Sequence, residues 1–376
     1  MRRSLIGAAG VAGLGVAAAA ASRRSASRAL TSFYRPEVGN TPIWELREAR
    51  VRPPLLLHRS DGLAALVPAE YEAVAAALPT DELQPLRLPG GRAVVLIGAY
   101  RHHEISISAA DGSTLAIRPY AEVLIAPLVA PRPASGLAHR AARRPAGPRP
   151  AVPFAFPRRL GAAFVLHFPA TSRLVCELGR PWGFPRFVSD VDVEDDPAST
   201  RVCLSEGGQT ILTLAVRSGG RLAFDRRPTV RYSVRDAELI ETRAPTLAYR
   251  QMGRGGAGSE LMLGRHDVAG ELRLLGLSQH PIVAWRELLS RMRLPAGTAV
   301  GPARACEGFA GGDVGIGRYT VRHPGEGPVD QYMHLPPSEY STAGPAARAP
   351  DVERIAPCET SPFVEDAEDL AALGLS

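Results

Sequence analysis

Cys176-Glu-Leu-Gly-Arg-Pro-Trp-Gly-Phe-Pro-Arg-Phe187 is the stretch around which the rest of the chain is organised. A short run from Ala170 to Leu178 leads into Gly179, and Pro181, Trp182, Gly183, Phe184 and Pro185 follow at once. Proline fixes φ and glycine admits positive φ, so these residues predict a rigid aromatic turn that buries a large ring. Arg186 leaves that turn from a stiff platform. A guanidinium stays charged and presents a planar fork of donors, so Arg186 can hold an anion but cannot attack a carbonyl.

All 44 residues of the combined Lys and Arg count are arginine, because the chain contains no lysine. Alongside the abundant Ala, Gly and Pro, this reads as a bias of the coding sequence. Its chemical consequence is definite: no lysine imine can form. At 376 residues and 45% hydrophobic composition, the chain can bury a large core. The net charge of +6 would suit an anionic partner, but the arginines are scattered and lack interleaved aromatics, so nucleic acid is not expected. Cys176, Cys203, Cys306 and Cys358 have no paired spacing and read as bystander thiols. His266 and Asp267 are adjacent and point apart, so they predict a structural histidine rather than a metal site. The Gly-rich stretches 253–258 and 311–317 lack a Walker lysine, and there is no Gly-x-Ser-x-Gly elbow. No metal and no cofactor is expected.

Working outward, Pro53 to Asp61 reads as an apolar strand ending on His58-Arg59-Ser60-Asp61, and Val67 to Leu78 as a helix with Pro68 in its first turn. A Leu88-Pro-Gly-Gly-Arg92 turn precedes strands at Ala93–Ala99 and Tyr120–Ala126. Glu122 stands at the start of an apolar strand, where burial would make its carboxyl a proton donor or acceptor. Gly161–Phe168, Val188–Val193, Arg201–Ser205, Gln209–Val216, Thr229–Val234 and Ala237–Thr242 are further short strands, and Ala170–Leu178 is a short helix. Many short strands separated by Gly, Pro and Asp turns predict a barrel or sandwich. Pro281–Met292, with Ile282, Trp285, Leu288 and Leu289 on one side, has the amphipathic helical period and closes the domain.

The expected domain spans residues 31–295, with a Pro/Ala/Arg-rich insertion at 130–157. Residues 296–376 read as a Gly/Pro-rich, poorly ordered tail. The prefix 1–30 has a basic start and an apolar run from residue 5 to 21. Four readings of it stand: an export signal, a weak membrane anchor, an organellar presequence, or an Ala-rich helix. They place the protein as exported or membrane-anchored, or else as cytoplasmic or organellar.

The turn resembles the acetoacetate decarboxylase family, whose pattern here is Gly, then Trp-Gly-Tyr/Phe-Pro-Lys. Gly179, Trp182, Gly183, Phe184 and Pro185 match it, and Arg186 stands where the family has its Schiff-base lysine. The Gly90-Gly91-Arg92 strand and the Tyr120-x-Glu122-Val123 strand follow the family's order, and Leu261 to Leu277 is similar to a segment of its relatives. The resemblance implies a mainly β, α+β fold: an acetoacetate decarboxylase-like β-barrel core with a few peripheral helices, an internal cavity and homo-oligomeric assembly. It also implies that Glu122 and Arg186 are catalytic, while Arg59, Tyr120, Trp182 and Phe184 bind substrate. Two functions follow from this. One is decarboxylase-type or lyase-type chemistry on a small keto acid or related carboxylate without an imine. The other is a non-catalytic protein that keeps the fold and binds a small carboxylate or acyl ligand.

Overall fold

The computed structural model describes residues 42–46, 49–131, 162–225, 229–236, 238–253, 258–302 and 352–355. The prefix with residues 5–21, the insertion beyond residue 131, and the tail apart from 296–302 and 352–355 lie outside these residues. Strands β1 (Trp44–Glu45) and β2 (Arg50–Ala69) lead to helix α1 (Tyr71–Ala77) and to β3 (Leu83–Pro85), β4 (Ala93–Ala109), β5 (Thr114–Ile117), β6 (Tyr120–Pro131) and β7 (Ala162–Phe164). Helix α2 (Arg173–Gly179) and a 3-10 turn (Arg180–Trp182) precede β8 (Asp190–Asp196), β9 (Ser199–Glu206), β10 (Gln209–Arg217) and β11 (Leu222–Asp225). Then come β12 (Thr229–Arg235), β13 (Glu238–Ala244), β14 (Thr246–Met252), β15 (Glu260–Leu263), helix α3 (Asp267–Leu274), β16 (Val283–Leu294), β17 (Thr298–Pro302) and β18 (Val352–Ile355).

The main sheet runs β11-β14-β16-β2-β4-β6-β7-β12-β13-β17, with β1, β3, β5 and β18 attached to its flanks. It curls so far that β12 and β16, well separated in that order, touch: Arg231 Nη2 lies 3.6 Å from Met292 Sδ. Pro245 alone joins β13 to β14, on opposite arms of the sheet. The fold is therefore mainly β, a curled half-barrel.

Side chains alternate across each strand, so a sheet covered on both faces must be apolar at both parities. Val123, Ile125 and Val129 of β6 enter one core with Leu63, Val67, Val95 and Ile97. A second sheet, β15-β10-β9-β8, covers this convex face with Val202, Leu204, Leu212 and Leu214, and α1 and α3 add Val74, Val268 and Leu272. Leu124, Leu128, Phe168, Trp182, Phe184 and Trp285 form the other core, on the concave side.

Several sequence expectations are corrected. Pro281–Met292 is no helix: its core is β16, hydrogen-bonded between β14 and β2. Bulges between Glu287 and Ser290 and between Ser290 and Met292 shift its alternation, which mimics a helical period. The helix expected from Val67 begins at Tyr71, because Val67 and Ala69 are buried in β2 with its ladder intact. The strands at 53–61 and 93–99 extend to the full β2 and β4. Within the expected tail, β17 pairs with β13 and β18 with β5. Among the described residues, no helix is long and apolar enough to cross a membrane. His266 is structural as expected: it caps α3, accepting from the Val268 amide at 3.2 Å, and its Nε2 lies 3.0 Å from Glu206 Oε2.

Candidate functional site

Two neighbouring register rows cross the concave face. One runs Ser290, Ser60, His102, Tyr120 over β16, β2, β4 and β6. The next runs Arg250, Glu287, Gly62, Tyr100, Glu122 over β14, β16, β2, β4 and β6. Sheet register thus gathers polar residues that are far apart in the chain. Ser60 Oγ and His102 Nδ1 are 2.6 Å apart, and His102 Nε2 is 3.0 Å from Glu122 Oε1. Arg186 Nη1 donates to Glu122 Oε2 at 2.9 Å. Ser60, His102, Glu122 and Arg186 are all buried, none more than 4% exposed.

The turn delivers Arg186 much as the sequence indicates. Gly183 adopts φ +67°, where a side chain would also run into the Val234 carbonyl. The Phe184 amide bonds to the Gly179 carbonyl, the Phe168 amide to that of Pro185, and Ser233 Oγ donates to the Trp182 carbonyl at 2.5 Å. Trp182 anchors the turn, with its indole N–H on the Pro295 carbonyl and its ring edge-on to Trp44 at 4.6 Å. At Gly179 a methyl group would occupy the space of Arg186 Cδ. Gly179→Ala should therefore displace the Arg186 side chain and destabilise the protein by about 1–3 kcal/mol, the usual range for overpacking. Urea denaturation checks this, and an unchanged midpoint would refute it.

Phe168 and Phe184 sit under two guanidiniums. Arg186 Cζ is 4.1 Å from the Phe168 centroid and Arg231 Cζ is 5.5 Å from it; the corresponding distances to Phe184 are 5.9 and 6.0 Å. Burial alone would raise the Glu122 carboxyl, but Arg186, His102 and Arg231 outweigh it and hold the group at about 2. Glu122 is therefore ionised at neutral pH and a poor proton donor there. Burial pushes the Arg231 guanidinium down, more than Glu122 raises it. Burial, then the Glu122 charge, pushes the Tyr120 phenol far up, so it remains a donor. Cys176, raised to about 12 by burial, is inert as a nucleophile.

Of the residues singled out in the sequence, the structure brings Glu122, Arg186, Tyr120 and Phe184 together, and puts Trp182 behind them as support. Arg59 is not among them. Its side chain is 56% exposed, with Glu104 3.9 Å away as an ion-pair partner. The sequence reading missed Ser60, His102 and Arg231. Each is a polar residue whose strand parity turns it to the concave face, a signal visible only once register is known.

Fold and site together define a curled β-sheet protein with a charged, aromatic-lined interior. No protein-family model matches the chain, and no curated protein matches it. Among solved structures it is similar to an acetoacetate decarboxylase at 14% identity and a TM-score of 0.47, covering 67% of this chain and 91% of the other. It is also similar to acetoacetate decarboxylase from Legionella pneumophila subsp. pneumophila str. Philadelphia 1, at 15% identity and a TM-score of 0.48, over 71% and 94%. A third similar structure is the enduracididine biosynthesis enzyme MppR, complexed with the condensation product of pyruvate and imidazole 4-carboxaldehyde, at 12% identity and a TM-score of 0.46, over 71% and 99%.

Proposed function

We propose that the concave interior binds a small carboxylate of the keto-acid class and does so without a covalent imine. Arg231 is the observation that carries this. It is 6% exposed, its Nη1 has no hydrogen-bond partner, and Nη2 reaches only the weak acceptor Met292 Sδ. Two guanidiniums, Arg186 and Arg231, share the single carboxylate of Glu122, which bonds only Arg186 of the two. A buried charge without a counterion costs several kcal/mol. A ligand carboxylate entering beside Phe168 and Phe184 would meet that charge in the planar fork geometry that guanidinium favours.

Decarboxylation is the second reading, and Tyr120 favours it. When a β-keto acid loses carbon dioxide, negative charge moves to the ketone oxygen, so the cations would have to face the ketone rather than the departing carboxylate. A phenol kept protonated beside Glu122 is a donor for the resulting enolate.

The test is proton NMR of the full chain with acetoacetate, pyruvate and uncharged ketone controls. Binding of the acids and not the ketones is expected, weakened roughly 10- to 100-fold by Arg231→Met, the range for a hydrogen bond to a charged group. Equal binding by Arg231→Met would refute the anchor. Consumption of acetoacetate above background would select the decarboxylase reading over simple binding.

A further inference from the structure

We propose that strand β11 pairs with β11 of a second copy of this chain, antiparallel about a two-fold axis, making the protein a homodimer. Among the described strands β11 pairs only with β14, so it ends the sheet. Natural sheet edges are usually blunted by charge, proline or a bulge. β11 is short and bounded by Arg221 and Asp225, yet it also carries Leu222 at 39% and Phe224 at 50% exposure, two of the few large apolar side chains so exposed among the described residues.

Register decides which backbone groups face outward. The Met252 amide donates to the Arg221 carbonyl at 2.9 Å, so Arg221, Ala223 and Asp225 hold the hydrogen-bonded positions against β14. Leu222 and Phe224 therefore point their amides and carbonyls at the open edge. The close approach of the Phe224 and Tyr249 rings, 4.8 Å, agrees, because side chains are nearer at non-hydrogen-bonded pairs.

A second β11 can satisfy those groups in more than one register, and charge selects among them. With Ala223 on the two-fold axis, Leu222 of each copy lies opposite Phe224 of the other, both at hydrogen-bonded positions. Arg221 then lies opposite Asp225. Arg221 is exposed and has no ion pair among the described residues, and the second copy would bring it the Asp225 carboxylate, whose Oδ2 already accepts from Arg250 Nη1 of its own chain at 2.8 Å. Shifting the axis to residue 222 or 224 loses this pairing. An isologous pairing of this kind occupies the β11 edge of both copies and closes about the two-fold axis, with β17 left as the outer strand of each sheet among the described residues.

Sedimentation of the full chain over a wide concentration range tests the assembly, and cysteine cross-linking tests the register. The wild type should dimerise, and Phe224→Asp should weaken the dimer at least about tenfold. Under mild oxidation Ala223→Cys should form a cross-linked dimer, since non-hydrogen-bonded pairs put Cα atoms about 4.5 Å apart, within disulfide reach. Leu222→Cys, which meets residue 224 of the partner, should cross-link no more than wild type. A monomer at every concentration, or a dimer that survives Phe224→Asp, overturns the proposal. Cross-linking of Leu222→Cys in place of Ala223→Cys overturns the register.

Discussion

Glu122→Gln should lower the unfolding free energy by about 3–5 kcal/mol, the range for breaking one partner out of a buried pair. Arg186→Met should lower it by less than half as much. The asymmetry follows from the charge count in the interior, where Arg186 and Arg231 lie over the same Phe168 ring and share the field of one carboxylate. Removing the carboxylate strands both cations in an apolar setting. Removing Arg186 leaves Glu122 still 3.0 Å from His102 and with Arg231 available to balance it. The double variant Glu122→Gln, Arg186→Met strands only Arg231, so it should be more stable than Glu122→Gln alone. Urea unfolding of the four proteins makes the comparison. Equal losses for the two single variants would mean that Arg231 takes no part in the balance, and the carboxylate-anchor proposal would fall with it.

Part of the fold and of the site is legible in the amino-acid sequence alone. The Trp182-Gly183-Phe184-Pro185 turn can be read locally because its constraints are local: two fixed φ angles, one residue at positive φ, and one large ring. Glu122 can be read because a carboxylate inside an apolar run needs a partner wherever the run is folded. The many short strands indicate a mainly β protein for the same reason, since turn residues punctuate them in sequence. What stays hidden depends on register. Ser60, His102 and Arg231 look like ordinary polar residues of half-exposed strands until β2, β4, β6 and β12 are aligned. Leu55 and Leu57 enter the concave-side core at odd positions, but register shifts on either side of Arg59 hand that face to the even position Ser60, which meets His102 while Arg59 turns outward to Glu104. The same kind of irregularity in β16 makes a strand buried on both faces imitate a helix. Bulges are invisible to periodicity, and here they decide which side chains reach the site.

Acid should abolish the difference between wild type and Glu122→Gln. The Glu122 carboxyl sits at about 2 in the folded protein against 4.5 for the free group, since burial is outweighed by Arg186, His102 and Arg231. A depressed carboxyl stabilises the fold fully above its unfolded value and loses that contribution as pH falls through the folded one. The window is therefore pH 4.5 down to about 2, and the contribution at stake is roughly 3 kcal/mol at about 1.4 kcal/mol per pH unit. Asp195, also depressed, through hydrogen bonds from Thr200 and Arg101 that outweigh its burial, titrates in the same direction in both proteins and cancels from the difference. Glutamine resembles protonated glutamate, so the gap between the two urea midpoints should be wide at about pH 6 and should shrink steadily below about pH 4.5. A gap that stays constant to about pH 2.5 would show that the Glu122 carboxyl titrates alike in the folded and unfolded chains and is not coupled to the cations. The interior could not then present Arg231 to a ligand in the way its geometry suggests.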